Sequence, residues 1–536
     1  MADSEGQAVP GKLRVPQRDG ALLIEPPMAR AAQLVTANPK ALLEPGSDLD
    51  LQGRTLAQLR QTARSELIAS AFRYTSEFRD DIVLPSPESS IIATGHQPDL
   101  FHPGVWAKNF VADRLARPAG GIGVNLVVDN DLCESAQLKV PQQTESGRVR
   151  FGRVEIESRQ PPQPWEERTP KDLAALAKLP ARVSSALQDW GLPTPLLSEL
   201  EFEVEPDRTL ADILTRVRSR AERSRGVANL ELPISRMCHT ESFLRFVCHM
   251  LVHIERFQQV HNDAIRDYRE RNKLKSKTHP VPELTRKDEW FETPFWSWRA
   301  KERNRNRLFA RQLSDTVLAI SDGHRTIAEL PLGPDMDACC AVEVLMQLAS
   351  AGERIRTRAL TTTIFARMLF ADLFIHGIGG AKYDEMTDVI LSDFYGVTPP
   401  KFMTVSATLR LLGDRAANVT QDDIRKLEDQ LRDLQFNAQT ALSESTDPTI
   451  QSAIEEKLRL IAEQNSDAAG GRDRYFRFRE LNRTLRRATC EQQTLVENQI
   501  TALQRELADN AVLNSREFSF ALFPSARLDA LFSDLD

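Results

Sequence analysis

The chain has 536 residues, of which 41% are hydrophobic, so it can bury a sizeable core divided among roughly two to four structural units. Its formal net charge of −7 at pH 7 argues against a general binder of nucleic acids. Its six dispersed cysteines contain no C-x-x-C pair, which excludes a disulfide framework or a zinc ribbon, and no stretch of about 18 apolar residues predicts a membrane span. The first residues also lack the apolar stretch of a signal peptide, so we expect a cytoplasmic protein without membrane or nucleic-acid partners.

The N-terminal part of the chain predicts the opening of a parallel α/β sheet. After a flexible tail, residues 1–50, a helical pattern covers residues 54–80, and a short buried strand follows over residues 91–95. The segment 95–104 then leads into a helix, and the next apolar run, residues 123–128, predicts a second strand. Strand, turn, helix and strand in this order are typical of a doubly wound α/β sheet.

Further along the chain, the periodicity of the apolar residues changes several times. Residues 232–234 predict a third strand before a helix over about 241–271, and residues 370–375 predict a later strand. Residues 316–320 and 326–330 flank a Ser-Asp-Gly turn and predict a hairpin. The predicted domains after the tail are the first part of the core with a helical insertion (51–280), an aromatic, β-rich insertion (281–340), the second part of the core (341–418), an antiparallel coiled-coil arm (419–512) and a C-terminal tail that docks on the core (513–536).

The segment from Gly95 to Gly104 is the first candidate site, because it connects a strand end to a helix N-terminus. Free backbone N–H groups and the helix dipole favour an anion there. Two imidazoles, His96 and His102, flank that position and can stabilise phosphate oxygens as charge develops on them, so we predict that they are catalytic. The residues predicted to bind the nucleotide and its phosphates are Gly95, Gln97, Gly104, Lys108 and Asn109. The alternative is a tight connection in which the histidines only cap the helix.

A second glycine-rich segment runs from His376 to Asp384. Its glycines let the backbone approach a ligand closely, and its lysine can reach phosphates. The residues predicted to bind phosphates are His376, Gly377, Gly379, Gly380 and Lys382, and those predicted to bind substrate are Tyr383 and Asp384. The segment lacks the spacing of a Walker loop, and the alternative is a plain strand-to-helix turn.

Polar residues near other predicted strands are candidate substrate ligands. An acidic segment follows the second strand, where open α/β sheets bind ligands, and its oxygens can bind an amine, a ribose or magnesium. Two arginines further on can clamp a carboxylate or a phosphate. These predicted ligands are Asp129, Asn130, Asp131, Glu134, Arg356 and Arg358, with solvated surface charge as the alternative. The tryptophans from Trp290 to Trp298 can stack a base or sugar, but we predict a core patch, and we predict no resident metal site.

Four segments, in chain order, resemble motifs of one known family. They are Thr94-Gly95-His96-Gln97-Pro98-Asp99-Leu100-Phe101, Val128-Asp129-Asn130-Asp131 with Glu134, the glycine-rich Gly377 to Tyr383, and Val405-Ser406-Ala407-Thr408-Leu409. Together they resemble the bacillithiol biosynthesis cysteine-adding enzyme family, over about residues 90 to 530. The chain departs from the family pattern at His96, where the family has glutamine, and at Asn130, where it has histidine.

The resemblance implies a Rossmann-like core related to class I nucleotidyltransferases, with connecting insertions and a coiled-coil arm. The implied reaction uses ATP to join the carboxyl group of cysteine to the amine of glucosaminyl-malate. We therefore expect a cysteine ligase-like enzyme of thiol biosynthesis that takes ATP, with or without Mg²⁺, and small-molecule substrates, and that can form a homodimer through the arm. Two alternatives remain open, namely a nucleotidyltransferase-like enzyme acting on another small acceptor, and a non-catalytic coiled-coil scaffold with a vestigial nucleotide site.

Overall fold

The computed structural model describes residues 13–46, 49–276, 278–279, 281–462, 468–533 and 535. The described residues form two compact units. The first unit comprises those within 1–140, 153–410 and 516–536, and the second comprises those within 141–152 and 411–515. None of the helices in the described ranges combines the length and the apolar character needed to cross a membrane.

Helices and strands are mixed along the chain, which makes the fold mixed α/β. The strands are β1 (Ala21–Glu25), β2 (Ile91–His96), β3 (Ile122–Val127), β4 (Leu132–Cys133), β5 (Gln137–Gln143), β6 (Val149–Glu155), β7 (Gln163–Pro164), β8 (Leu230–Pro233), β9 (Arg286–Lys287), β10 (Trp290–Arg299), β11 (Asn306–Ser314), β12 (Val317–Ser321), β13 (Thr326–Pro331), β14 (Glu353–Thr357), β15 (Leu373–His376) and β16 (Phe402–Thr408). The helices are α1 (Met28–Gly46), α2 (Leu56–Ser76), α3 (Pro103–Ala116), α4 (Leu173–Ala177), α5 (Leu179–Leu187), α6 (Leu210–Arg223), α7 (Ile234–Met237), α8 (Glu241–Val252), α9 (Ile254–Arg271), α10 (Cys339–Ser350), α11 (Ala359–Phe365), α12 (Ile378–Asp393), α13 (Gln421–Phe436), α14 (Ala438–Ala441), α15 (Pro448–Ala462), α16 (Ala468–Ala488), α17 (Cys490–Leu513) and α18 (Ser525–Ser533).

A six-stranded sheet in the order β1-β16-β15-β2-β3-β8 forms the centre of the first unit. Neighbouring strands are parallel except for β1, which runs antiparallel to β16. The chain leaves β2 through α3 to reach β3 on one side, and it leaves β15 through α12 to reach β16 on the other. The direction of the connections therefore reverses between β2 and β15, and open parallel sheets bind ligands at the carboxyl ends of strands at such a point.

The central strands are apolar because both of their faces are covered. Ile91, Ile92 and Ala93 of β2 are fully buried, as are Val124 of β3 and Leu232 of β8. Short, nearly continuous apolar runs of this kind are typical of parallel strands. The four strands predicted for this sheet agree with β2, β3, β8 and β15.

An antiparallel sheet in the order β13-β12-β11-β10-β14 is the second sheet of the first unit. The predicted hairpin is present as β12 and β13. Strand β14 lies beyond the insertion predicted over residues 281–340, yet it pairs with β10 and belongs to the same sheet. Its sequence, Glu-Arg-Ile-Arg-Thr, contains one strongly apolar residue, so it carries no periodic signal from which a strand could be predicted.

Two local predictions differ from the structure. The tail predicted over residues 1–50 contains β1 and α1 in its described part, and β1 pairs with β16. A buried amide explains how α1 is held, because Asn38 Nδ2 donates to the backbone oxygens of Asp372 and Lys401, at 2.8 Å each. The helix predicted over about 241–271 is divided into α8 and α9.

Helices make up most of the second unit. Helix α13 packs against α17 through Ile424 and Leu434 on one side and Val496 and Ile500 on the other. Helices α15 and α16 pack around a separate apolar cluster. The antiparallel coiled coil over residues 419–512 stays a prediction, because apolar pairing of helices does not by itself establish interlocking heptads.

The segment after α17 returns to the first unit. Phe518, Phe520 and Phe523 are fully buried there. The ring of Phe520 stacks on that of Trp106, with their centroids 4.1 Å apart, and its N–H donates to the backbone oxygen of Phe101 at 2.8 Å. The segment thus packs against the loop and helix that follow β2.

Candidate active site

The carboxyl ends of β2 and β15 open into a cleft of about 430 Å³, which we call the first cleft. It lies where the direction of the strand connections reverses. Helix α3 begins beside it, with His102 as its N-cap and Pro103 at a position that needs no backbone N–H. The side chains that line the first cleft include His96, His102, Lys108, His376, Ser406 and Arg516. The two segments singled out in the sequence therefore meet at one place.

Lys108 is a buried cation in the wall of the first cleft. Its Nζ donates to the backbone oxygen of Gly95 at 2.7 Å, and no acidic side chain among the described residues pairs with it. Burial, with a smaller contribution from Arg218, lowers the pKa of Lys108 to about 7. A buried ammonium group without an anionic partner is unfavourable, which indicates that a bound anion completes this site.

The two histidines of the first segment are neutral in the folded protein at neutral pH. Burial and then Lys108 lower the pKa of His96 to about 3, and burial and then Arg516 lower that of His102 to about 4. His102 Nδ1 accepts the Gly104 N–H at 3.1 Å, so its proton lies on Nε2. His96 Nδ1 is buried, and none of the residues that the structure describes forms a hydrogen bond with it. These rings can orient phosphate oxygens through hydrogen bonds, while the positive charge comes from lysine and arginine.

Arg516 is a residue of the first cleft that the sequence analysis missed. Its Nη2 donates to Ser406 Oγ at 3.1 Å, and its buried Nη1 has no partner in the part of the chain that the structure describes. Burial lowers the pKa of Arg516, and Glu517 partly offsets this effect. The available signal was its position within the C-terminal tail, residues 513–536, that is predicted to dock on the core.

A second chamber, of about 360 Å³, adjoins the first cleft. Four residues line both spaces, and we call them the shared wall: Gly95, His96, His376 and Gly380. The other residues that line the second chamber include Gln97, Asn130, Asp131, Trp296, Arg305, Thr357 and Arg358. The two spaces are therefore direct neighbours in the fold.

Arg358 has an unused binding edge at the second chamber. Its Nη1 donates to Glu292 Oε1 at 2.8 Å, whereas its Nε and Nη2 are buried and have no partner among the described residues. In Arg356 the same two nitrogens bind the two oxygens of Glu166, at 2.9 and 2.8 Å. Because Nε and Nη2 form the edge that holds a carboxylate with two parallel hydrogen bonds, the open edge of Arg358 matches a carboxylate ligand.

Trp296 contacts two arginines at the second chamber. The guanidinium carbons of Arg358 and Arg305 lie 4.3 and 4.8 Å from its ring centroid, within the range of cation–π attraction. Arg305 also pairs with Asp131 at 3.1 Å, and its Nε is buried without a partner. The predicted core patch is correct for Trp298, which is buried, but wrong for Trp296, which lines the chamber.

Two residues of the predicted acidic segment line the second chamber. Asn130 Nδ2 donates to the backbone oxygen of Thr357 at 2.8 Å, while its buried Oδ1 accepts from no residue within the described ranges. Asp131 accepts a hydrogen bond from Gln97 Nε2 at 3.0 Å. The chamber thus offers an unused acceptor beside the unused donors of the arginines, which suits a ligand with both a carboxylate and an ammonium or hydroxyl group.

The other two residues of that segment lie outside both spaces. Asp129 is buried and accepts the backbone N–H of Ser235 at 2.9 Å, which ties the end of β3 to the end of β8. Burial and then Glu166 raise its pKa to about 8. Glu134 is exposed. The prediction that these two carboxylates bind substrate therefore has no support from their positions.

Asn109, Arg356, Lys382 and Tyr383 also lie outside both spaces. Asn109 Nδ2 donates to Glu222 at 2.7 Å in the core, and Arg356 is engaged by Glu166. Lys382 and Tyr383 belong to α12, which begins at Ile378, so most of the second glycine-rich segment is helix rather than loop. Their positions in the sequence predicted that Lys382 and Tyr383 lie near a ligand, but both lie on α12 and line neither space.

His376 and Asp384 form a buried pair beside the shared wall. His376 Nε2 lies 2.9 Å from Asp384 Oδ2, and the fully buried Arg367 pairs with the same carboxylate. Burial alone would raise the pKa of Asp384, but Arg367 and His376 outweigh it and lower the pKa to about 2. Asp384 is therefore held within the protein and is not the free substrate ligand that the sequence predicted.

Two glycines of the site have a steric reason to be glycine. A Cβ atom at Gly104 would collide with the backbone oxygen of Ala407, and a Cβ atom at Gly380 would lie 2.9 Å from His376 Nδ1. A Cβ atom at Gly377 or Gly379 would meet nothing within 4 Å. Close packing therefore explains two of these glycines and not the other two.

Within the described residues, no group of three or more His, Cys, Asp or Glu side chains is arranged to hold a metal ion. Comparison with known proteins finds no family model and no curated protein that matches the chain. Function has to be inferred from the two spaces, their charges and their unpaired groups.

Proposed function

We propose that the chain is an ATP-dependent ligase that activates the carboxyl group of one small molecule and joins it to the amine of another. The nucleotide phosphates bind in the first cleft, and the carboxylate-bearing substrate binds in the second chamber. The resemblance noted in the sequence makes cysteine the proposed acyl donor and an amino sugar the proposed acceptor. In this proposal the first unit is a Rossmann-like core and the second is a coiled-coil arm.

The first cleft offers the groups that phosphates require. The N-terminus of α3 contributes the positive end of the helix dipole, and Arg516 contributes an Nη1 that pairs with no residue in the described ranges. The observation that carries the proposal is the buried Lys108 ammonium, whose one described hydrogen-bond partner is the neutral backbone oxygen of Gly95. A polyphosphate would supply the missing negative charge and raise the pKa of Lys108 towards its ordinary value.

The second chamber supports the other half of the proposal. The open edge of Arg358 can hold both oxygens of a carboxylate, and Asn130 Oδ1 can accept a hydrogen bond from its ammonium group. Both spaces border on His96 and His376. A carboxylate in the chamber can therefore be brought against a phosphate in the cleft, and this positioning is a large part of what a ligase contributes to catalysis.

Nucleotide binding tests the first half. We expect millimolar ATP or ADP to raise the melting temperature of the wild type, and we expect Lys108→Met to lose this shift. Lys382→Met is the matched control, because Lys382 lies outside both spaces and the variant should keep the shift. If no nucleotide stabilises the wild type, the ligase proposal fails and the scaffold alternative is favoured.

Mass spectrometry tests the reaction itself. The protein is incubated with ATP, cysteine and a panel of amino sugars, and we expect a product with the mass of one cysteine plus one amino sugar less one water. The product should be absent when ATP is omitted. A nucleotidyl group on the acceptor in place of cysteine would favour the nucleotidyltransferase alternative.

A further inference from the structure

His96, His102 and His376 line the first cleft, and their rings differ in their hydrogen-bond partners. The pKa values of His96 and His102 are lowered to about 3 and about 4, and His102 Nδ1 is already engaged by the Gly104 N–H. Rings with such low pKa values are weak bases at neutral pH. Within the described chain, His376 alone of the three has a carboxylate partner.

The ion pair fixes the imidazole of His376. An ionised Asp384 at 2.9 Å requires a proton on Nε2, which leaves the lone pair on Nδ1. Arg367 anchors Asp384 and is itself bound by Asp388 and by the backbone oxygen of Pro400. The carboxylate is therefore held in place on its far side by the buried Arg367.

The second ring nitrogen is kept free. No residue in the described ranges forms a hydrogen bond with His376 Nδ1, and the lack of a side chain at Gly380 keeps the space beside it open. His376 belongs to the shared wall, so a ligand on either side can approach it. A basic nitrogen, a buried carboxylate behind it and open space in front of it form the arrangement of a general base.

We infer that His376 is the general base of the ligase reaction and that Asp384 positions it, an inference that rests on the proposed function. The amine nitrogen attacks the carbonyl carbon of the activated acyl group and forms the C–N bond. The C–O bond to phosphate breaks, and the phosphate leaves with the electron pair. The proton lost by the nitrogen moves to His376 Nδ1 and then to solvent.

Hydroxylamine separates acyl activation from proton transfer. It is unprotonated at neutral pH and attacks activated acyl groups without a base, so ATP-dependent formation of cysteine hydroxamate reports activation alone. We expect His376→Gln to slow amide formation with an amino sugar by roughly 100-fold or more and to change hydroxamate formation by less than about threefold. The matched control is His324→Gln, an exposed histidine of the same unit, which should keep both reactions.

The variant Asp384→Asn tests whether Asp384 positions the ring of His376. An asparagine amide can donate to Nε2 and so moves the proton of the ring to Nδ1. We expect a lower kcat for amide formation with an unchanged KM for ATP, and nitrogen-15 NMR at about pH 8 should show the proton of His376 on Nε2 in the wild type and on Nδ1 in the variant. Asp393→Asn is the control, because Asp393 is an exposed carboxylate at the end of the same helix, α12.

The outcomes are distinguishable. If the wild type forms no hydroxamate with any amino acid, the ligase proposal fails. Independently of that result, a proton on Nδ1 of His376 in the wild type would overturn the proposed arrangement of His376 and Asp384. If hydroxamate forms but His376→Gln keeps amide formation, His376 is not the base. If a folded His376→Gln loses both reactions equally, the residue binds ligand rather than moving a proton. Should Asp384→Asn fail to fold, the hydroxylamine comparison still decides the role of His376.

Discussion

Arg358 binds Glu292 through Nη1 at 2.8 Å and leaves its Nε and Nη2 buried and unpaired. Arg356, two positions earlier, closes the same edge on Glu166. The two side chains are chemically identical, but Arg356 is 1% exposed and Arg358 is 15% exposed. The protein supplies a carboxylate for the Nε and Nη2 edge of Arg356 alone. At Arg358 we expect a ligand to supply it.

Replacing Arg358 with lysine should weaken binding of a carboxylate substrate, because an ammonium group cannot form the two parallel hydrogen bonds of a guanidinium edge. We expect the Kd for cysteine, measured by calorimetry, to rise about tenfold or more, with little change for ATP. Arg307→Lys is the control, since Arg307 also pairs with Glu292, at 3.0 Å, but does not line the second chamber. An equal loss in both variants would implicate the Glu292 network instead.

Lys108→Met should stabilise the ligand-free protein near neutral pH. The pKa of Lys108 is lowered from 10.5 to about 7 on folding. The free energy by which this group destabilises the folded state is therefore largest below pH 7 and decreases as the pH rises towards 10.5. Removing the charge should raise the free energy of unfolding at about pH 6.5 by ~1 kcal/mol or more, even after loss of the bond to Gly95. Thermal unfolding at about pH 6.5 and 9 should show this gain shrinking as the pH rises. A variant that melts lower at the acidic pH would contradict the argument.

Binding of ADP should weaken between about pH 8 and 9.5. The phosphates of ADP are fully ionised over this range, whereas Lys108, with a pKa of about 7 in the free protein, must take up a proton to pair with them. Calorimetry in two buffers of different ionisation enthalpy should report uptake of about one proton per ADP bound. Binding that does not depend on pH in the wild type would rule out the contact between Lys108 and phosphate.

Gly380→Ala should damage activity, while Gly379→Ala should not. A Cβ atom at Gly380 would lie 2.9 Å from His376 Nδ1 and push the ring away from Asp384, whereas one at Gly379 meets open space. Both changes favour the helix by up to ~1 kcal/mol, so Gly379→Ala should not lower the melting temperature, whereas in Gly380→Ala the displaced ring offsets this gain. The rate of amide formation is the measurement. Equal rates in the two variants would mean that the position of the ring does not matter.

The sequence was sufficient to predict that the two candidate segments converge. Apolar runs that end at Gly95 and His376 predict two buried parallel strands, and the carboxyl ends of such strands meet at one edge of the sheet. The residues just beyond those runs therefore had to converge, and His96, His102, Lys108 and Gly380 line the first cleft.

The sequence was not sufficient to separate ligands from core groups of the same chemical type. Arg356 differs from Arg358 because it pairs with Glu166, which lies 190 positions away along the chain. Trp296 and Arg516 reach the site from the second sheet and from the apolar segment after α17, and neither follows a strand of the central sheet. Such pairings depend on tertiary packing, which spacing does not encode.

The shared wall also has a thermodynamic consequence. Gly95, His96, His376 and Gly380 border both spaces, so a shift of these residues on filling one space alters the other. Any factor by which nucleotide changes the affinity for an amino acid must equal the factor by which the amino acid changes the affinity for nucleotide. Cooperativity between the two ligands, measured in either order of addition, would show how strongly four residues couple them.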